Sequence, residues 1–567
     1  MSSRRDFIGR TAVVAAGLLV PANDALALGD GASEGHAPRG FVDLLRDPNA
    51  VIVQTSSANA TLVRAGAGRW TGDDGIVIST EVRDGGLRVS LEAPTTAIKR
   101  VYLRWRGSQE TVRLILGDAW ERAYGDLEWR GWVPDRVMPW YFATFDGTVT
   151  NAYGVRTSPA AFCYWQADED GMSLTADVRS GSVGVTLGKR RLDLCDVVCR
   201  AGQSGESSFA ALHSFCRQMC PSPRLPSFPI YGSNDWYWAY GKNSADTVRA
   251  DAQHLLELAP AGGTRPFVVI DDGWQPGRGR ERAGAGTWDR GNEKFPDIAA
   301  LASELTRSGV RPGIWIRPLE APADAPDAWR SPRDRNALDP SVPEVLHKVA
   351  ADIARIRGWG FDLVKHDYTT FDLFGRWGFQ MGTALTRDGW TFATGSTRTN
   401  AEVISELYAT IRTAAGDALV IGCNTVSHLS AERFEICRIG DDTSGTEWAR
   451  TREMGVNSLA FRGVQHGAFY ITDADCAAVT TAVPWSLGRQ WLDLLSRSGT
   501  SLFVSLAPDA LGPAQRADLR AALARAATSQ SIAEPLDWRE TVYPERWRAA
   551  GGDATYEWMP PEGAGLP

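Results

Sequence analysis

The sequence predicts a multidomain protein of α/β plus β class, with an N-terminal β-sandwich, a central (β/α)8 TIM barrel and a short C-terminal β-rich region. Three observations predict it. From about residue 40 to 225 the chain is dense in short alternating runs, such as Ala50-Val51-Ile52-Val53-Gln54, Gly86-Leu87-Arg88-Val89-Ser90-Leu91 and Ser182-Val183-Gly184-Val185-Thr186-Leu187. Alternation of period two over many short segments marks antiparallel sheets with one solvated face. The texture then breaks at Pro221-Ser222-Pro223-Arg224-Leu225-Pro226-Ser227-Phe228-Pro229, a linker by composition. Beyond it, buried runs alternate with helical stretches, the pattern of a parallel sheet with right-handed crossovers.

The barrel elements follow in order. Phe267-Val268-Val269-Ile270 precedes a helix near 298–308, Gly313-Ile314-Trp315-Ile316 precedes one near 343–357, and Phe361-Asp362-Leu363-Val364-Lys365 precedes one near 401–414. Ala418 to Ile421, Phe434 to Ile436, a run near Phe469 to Ile471, and Leu502 to Val504 complete the set. With about eight repeats and no Gly-x-Gly-x-x-Gly turn after the first strand, a closed barrel is more economical than a doubly wound sheet. A helix over Gly512 to Ala527 and a Trp-rich tail end the chain. The expected division is an export signal at 1–27, a β-sandwich domain at 28–225, a (β/α)8 barrel at 226–510 and a short C-terminal region at 511–567.

Ser3-Arg4-Arg5-Asp6-Phe7-Ile8-Gly9 reads as a twin-arginine export motif, followed by an apolar run and a small-residue cleavage site at Ala25-Leu26-Ala27. The run is about ten residues, too short for a hydrocarbon core that needs roughly 20. The mature chain is expected to begin at Leu28, in the periplasm or outside the cell. The 8 Cys include close pairs too local for a disulfide framework, with Cys423 and Cys437 the one pair worth checking. A net charge of −8 without a basic stripe argues against nucleic acid, and 7 His without zinc-ligand spacing argue against a metal. No cofactor is expected, and oligomeric state is not readable.

Barrel enzymes place their chemistry at the carboxyl ends of strands. The residues there are acidic: Asp271-Asp272-Gly273-Trp274-Gln275 after the second strand, Lys365-His366-Asp367-Tyr368 after the fourth, and Arg438-Ile439-Gly440-Asp441-Asp442 after the sixth. Several carboxylates with one Lys, one Arg and Trp side chains are what glycosidic-bond cleavage requires: one carboxylate ionised, another holding a proton, and aromatic faces for the sugar ring. Alternation puts Lys365 and Asp367 on the inward face and His366 toward the helices. Structural alternatives stand beside each residue: a barrel-closing ion pair for Lys365 and Asp367, a turn for Asp271-Asp272-Gly273, a salt bridge for Arg438 and Asp441, and plain core for Trp236, Tyr237 and Trp315.

The four segments Val269 to Gln275, Arg311 to Trp315, Val364 to Asp367 and Arg438 to Thr443 resemble, in order, the retaining α-galactosidases of glycoside hydrolase clan D, nearest to family 36 and its raffinose-synthase-like relatives. The resemblance covers about residues 225 to 510. It implies that Asp367 is the nucleophile and Asp442 the acid/base, with Asp441 its rival. It also implies that Asp271, Asp272, Lys365, Arg438, Trp236, Tyr237 and Trp315 bind the sugar. An exported exo-α-galactosidase on oligosaccharides or glycoconjugates is the expected function. α-N-acetylgalactosaminidase, a raffinose-synthase-type transglycosylase and a non-catalytic carbohydrate-binding protein are the alternatives. A long segment, Gly375 to Asn400, departs from the family pattern and points to an unusual aglycone; the C-terminal region is shortened.

Overall fold

The computed structural model describes residues 40–277, 284–560 and 563; the expected export signal at 1–27 lies outside the described residues. The chain before the Pro-rich segment builds two antiparallel sheets, of six and eight strands. In the strand Ala50–Thr55, Val51 and Val53 are fully buried while Ile52 is half-buried, the alternation that a one-sided sheet demands. The sheets meet through Phe142 and Trp165, whose rings lie 5.7 Å apart. One alternating run is not a strand. Residues 182–187 form only isolated bridges, because the Ser182 hydroxyl donates to the Trp390 carbonyl at 2.8 Å and Thr186 N to the Ser396 carbonyl at 2.7 Å. The hydrogen-bonding capacity expected for a neighbouring strand goes instead to the long segment between Gly375 and Asn400.

The second part is a curled sheet of nine parallel strands: β1 (Tyr231–Asn234), β2 (Phe267–Ile270), β3 (Arg311–Ile316), β4 (Leu363–His366), β5 (Leu419–Gly422), β6 (Ile436–Arg438), β7 (Ile471–Asp473), β8 (Cys476–Val479) and β9 (Leu502–Leu506). Their order is β7-β6-β5-β4-β3-β2-β1-β9-β8. The two edge strands, β7 and β8, are separated in the chain only by Ala474 and Asp475. Every residue of β2, β4 and β5 is buried, as expected of strands covered on both faces.

Helices Ala245–Leu258, Ile298–Ser308, Pro343–Gly358, Asn400–Ala415 and Trp485–Arg497 connect the strands. Their ends are written locally: the Asp297 carboxylate accepts from Ala300 N, and Thr399 with Glu402 makes a capping box. β6 and β7 begin at Ile436 and Ile471, two residues beyond the starts of the apolar runs. The leading aromatics are core instead: Phe434 packs on Tyr408 at 5.1 Å, and Phe469 on His428 at 5.5 Å. After the helix Pro513–Ala526 comes a three-stranded antiparallel sheet, tied to the helix Trp485–Arg497 by Arg497 Nε donating to the Ala550 carbonyl at 2.9 Å. All eight cysteines, Cys423 and Cys437 included, are free thiols. No helix among the described residues is long and apolar enough to cross a membrane.

Candidate active site

The polar residues at the carboxyl ends of β1 to β7 converge on one mouth of the curled sheet. At β4, Asp367 N donates to the Ile316 carbonyl at 3.0 Å, which carries the strand's pairing with β3 one residue further. The Asp367 carboxylate accepts from Trp315 Nε1 at 3.1 Å on one oxygen and from Tyr368 N at 2.7 Å on the other. The second bond is made possible by Tyr368, which takes a left-handed conformation with φ 66°. A non-glycine residue held there is strained, by about 1–2 kcal/mol, and such strain clusters at functional sites. His366 turns outward, edge-on to Tyr408 and Phe434 at 5.6 and 5.5 Å, and burial pushes its pKa down to about 3.

Lys365 is buried, with Nζ 2.6 Å from Asp271 Oδ2. The same oxygen accepts from Asn234 at 2.7 Å, while Asp271 Oδ1 accepts from Asp272 N at 2.8 Å. Asp272 is half-buried and receives Gln275 Nε2 at 2.6 Å. Lys365 and Asp271 thus brace each other, with Asp272 beside them. Beneath lies Asp235, which accepts from Asp271 N at 2.9 Å and from Asn243 at 2.9 Å. Burial first, and then the Asp271 charge, raise its pKa to about 7.

At β6, Arg438 is buried and reaches Asp475 at 2.9 Å, the Gly440 carbonyl at 3.3 Å, Asp442 at 3.4 Å and Cys423 Sγ at 3.7 Å. Asp475, between β7 and β8, also accepts from Thr443 N at 2.7 Å and from the Tyr237 hydroxyl. Gly440 lets the segment between Arg438 and Asp442 pack against the Met454 carbonyl, since a Cβ there would lie 2.1 Å from that oxygen. The opposite side is closed from the first part of the chain. Ala123 N donates to the Ile439 carbonyl and Asp441 N to the Ala123 carbonyl, both at 2.8 Å. This bridge brings in Arg122, whose guanidinium lies 2.6 Å from Asp441, 3.7 Å from Asp442 and 3.8 Å from Cys423 Sγ. Arg450 takes the other Asp441 oxygen at 2.6 Å.

The structure therefore gathers Asp271, Asp272, Trp315, Lys365, Asp367, Arg438, Asp441, Asp442 and Tyr237 through linked contacts. Trp236 follows them in the short helix after β1, its N–H donating to Asn234 Oδ1 at 3.0 Å. Burial raises the Cys423 pKa, and Asp367, Arg438, Lys365 and Arg122 all lie within electrostatic range of its sulfur. Asp235, Asp475 and Arg122 carry no assignment from sequence, and Cys423 is singled out there only as one of a cysteine pair, not as part of the site. Asp475 and Cys423 sit just after apolar runs and obey the strand-end rule; Arg122 lies nearly 250 residues before Asp367 and carries no local signal. Among the described residues no group of three or more His, Cys, Asp and Glu is placed to hold a metal ion.

This is the fold of the GH36 α-galactosidases. An α-galactosidase from Thermus thermophilus, solved with p-nitrophenyl α-D-galactopyranoside, superimposes with a TM-score of 0.57 at 17% identity, covering 90% of this chain and 99% of that one. A GH36 α-galactosidase from Geobacillus stearothermophilus gives 0.54 at 13% identity over 84% of this chain and 74% of that one. One from Lactobacillus brevis gives 0.51 at 12% identity over 85% and 74%. In sequence, an α-galactosidase of Escherichia coli is 31% identical over 108 residues, which is 19% of this chain and 14% of that protein's length. No protein-family model matches the chain.

Proposed function

We propose that the chain is a retaining exo-α-glycosidase that hydrolyses terminal α-galactosyl groups, with the curled sheet as its (β/α)8 catalytic barrel. One observation carries the reading. Asp442, after β6, lies 3.4 Å from Arg438 and 3.7 Å from Arg122, both of which reach the Cys423 sulfur, and the charge of Asp367, after β4, acts on that same thiol. Sugar cleavage needs such a pair on either side of one anomeric carbon.

In this mechanism a carboxylate oxygen of Asp367 attacks the anomeric carbon as the bond to the leaving oxygen breaks, and Asp442 gives that oxygen its proton. Asp442 then takes a proton from water, which attacks the same carbon and frees Asp367. The Trp315 and Tyr368 N–H groups orient the nucleophile. Asp442 fits the acid/base role better than Asp441. Asp441 lies between the guanidiniums of Arg122 and Arg450, each 2.6 Å from one of its oxygens, and the Asp442 side chain is the more exposed of the two, 19% against 12%. Asp272 and Trp236 would line the sugar site, with Asp271, Lys365, Arg438 and Tyr237 holding its walls in place.

The solved relatives include complexes with stachyose and raffinose, and an α-galactosyl oligosaccharide is the substrate class proposed here. Export by the twin-arginine route, and the domain limits at residues 225 and 510, belong to the same proposal. The test is hydrolysis of a panel of aryl α-glycosides by the full chain. The α-galactoside should be the one cleaved, with activity lowered at least about a thousandfold in Asp367→Asn. Equal cleavage by Asp367→Asn would remove Asp367 from the nucleophile role, and no cleavage of any α-glycoside would remove the hydrolase reading.

A further inference from the structure

The long segment from Gly375 to Asn400 begins beside a cavity whose lining shares no residue with the carboxylate cluster. The cavity has a volume of about 350 Å³ and is lined by Arg333, Asp334, Phe374, Gly375, Arg376 and Arg387. It lies at the end of the six-residue helix Thr369–Phe374, which starts two residues after Asp367. At 1.5 Å per residue, about 9 Å of helix separates it from the nucleophile.

Exposed arginines on a surface are ordinary, but Arg333 is not one of them: its side chain is only 8% exposed. Its Nε donates to the Leu373 carbonyl at 2.9 Å, and its Nη2 to the Asp372 and Phe371 carbonyls at 2.7 and 3.4 Å. These bonds satisfy the last carbonyls of the helix and leave Nη1 with no protein acceptor among the described residues. Nη1 lies over Gly375, where a Cβ would come within 2.3 Å of it, and Gly375 has φ 66°; glycine there keeps the donor open to the cavity. The other two guanidiniums are tethered by one arm each. Arg387 Nη2 donates to the Arg333 carbonyl at 2.6 Å and Arg376 Nη1 to the Gln380 carbonyl at 3.3 Å. One carboxylate faces these three cations. Asp334 Oδ1 accepts from the Asn336 backbone and side-chain amides at 3.0 and 3.2 Å, and its Oδ2 stands 3.7 Å from Arg333. Nearby Asp372 gives both oxygens to Arg317, at 2.6 and 2.9 Å. Burial lowers the pKa of Arg333; the Asp334 and Asp372 charges oppose that, and the Arg387 charge adds to it.

We propose that this cavity binds a doubly charged tetrahedral oxyanion, a sulfate or phosphate group, with Arg333 Nη1 as the buried donor and Arg376 and Arg387 closing on it from the rim. A guanidinium presents paired N–H donors in a plane, which match two oxygens of such a group, and it keeps its charge at any working pH. The proposal goes beyond the α-galactosidase reading and does not depend on it. The group can arrive as the free anion or as an ester on a glycan, and the chemistry at the three arginines is the same.

The experiment is calorimetric titration of the full chain with sodium sulfate, and separately with sodium phosphate, at constant ionic strength made up with sodium chloride. Wild type should bind at least one of the two anions, and Arg376→Ala with Arg387→Ala together should weaken that binding about tenfold or more. Arg387 is exposed and Arg376 half-buried, so the double variant should unfold in chloride at the wild-type temperature, whereas Arg333→Ala would strip the helix of its cap. Galactose 6-sulfate, titrated beside galactose, separates the two sources. An ester whose extra affinity over galactose is lost in the double variant assigns the site to glycan esters; an ester without that extra affinity, beside a bound inorganic anion, assigns it to the free ion. Wild type that binds neither inorganic anion, or a double variant that binds them as wild type does, would overturn the proposal. Glycoside cleavage is not the readout, so failure of the hydrolase reading would leave this result standing.

Discussion

Asp442 and Asp441 are neighbours in sequence with different surroundings, and the difference is testable through the leaving group. Without a proton donor, a poor leaving group departs slowly while an activated one still departs. Asp442→Ala should therefore lose about 10²–10⁴-fold on a simple alkyl α-galactoside and far less on a dinitrophenyl α-galactoside. If Asp441→Ala shows that leaving-group dependence instead, the roles are exchanged. Asp235 offers a second measurement. Its pKa is raised from 3.8 to about 7, so between those values the native protein holds a proton that the unfolded chain has released. Native stability must fall as pH rises through that window and level off above it. Asp235→Asn removes the dependence. Asn243 Oδ1, buried and without a hydrogen-bond partner, becomes available to the introduced amide if the Asn243 side chain flips. The variant should match wild type near pH 4 and gain by a few kcal/mol toward pH 8, as read by denaturant unfolding at several pH values. A stability gap that does not change with pH would contradict the assignment.

At the scale of elements, the helix Asn400–Ala415 shows how local signals and tertiary contacts combine. Thr399 caps it by accepting from Glu402 N, and the same hydroxyl donates to the Ala160 carbonyl at 2.6 Å, tying the helix to the antiparallel sheets. Thr399→Ala should destabilise the protein by about 1–2 kcal/mol, with Thr399→Ser recovering most of it. A loss below about 0.3 kcal/mol in calorimetry or denaturant unfolding would show the cap to be idle. Elements of this kind were legible in sequence because their signals are short-range. The helix limits at 298–308 and the β2 run at 267–270 follow from periodicity and caps alone. Residues 182–187 misled because alternation reports which side of a backbone is buried; it does not report which partner takes the hydrogen bonds. β6 and β7 were read two residues early because an aromatic residue packed at a strand entrance looks the same in sequence as one inside the strand.

At the scale of the whole molecule, the first part of the chain completes the site made by the second. Arg122 arrives through the Ala123 bridge to Gly440, and close by Asp118 pairs with Arg462 at 2.8 Å, both fully or almost fully buried. Burial pushes the Asp118 carboxyl up, and the Arg462 charge opposes that. Arg462→Ala leaves this acid without its partner, and unfolding should be easier by about 3–5 kcal/mol. Arg462→Ala that unfolds like wild type would mean that the pair contributes nothing to the joint. The strand-end carboxylates were readable from sequence because the topology places them by a rule. Arg122 was not, because its position depends on how two distant segments meet, and no spacing within one segment encodes that.

The central claim is that Asp367 attacks the sugar. Reaction of the full chain with a fluorinated galactosyl fluoride that forms its covalent intermediate faster than it hydrolyses, followed by peptide mass analysis, tests this directly. The account predicts one galactosyl-derived mass on the peptide containing Asp367, absent in Asp367→Asn. A label on any other residue, or steady turnover by Asp367→Asn, would contradict it.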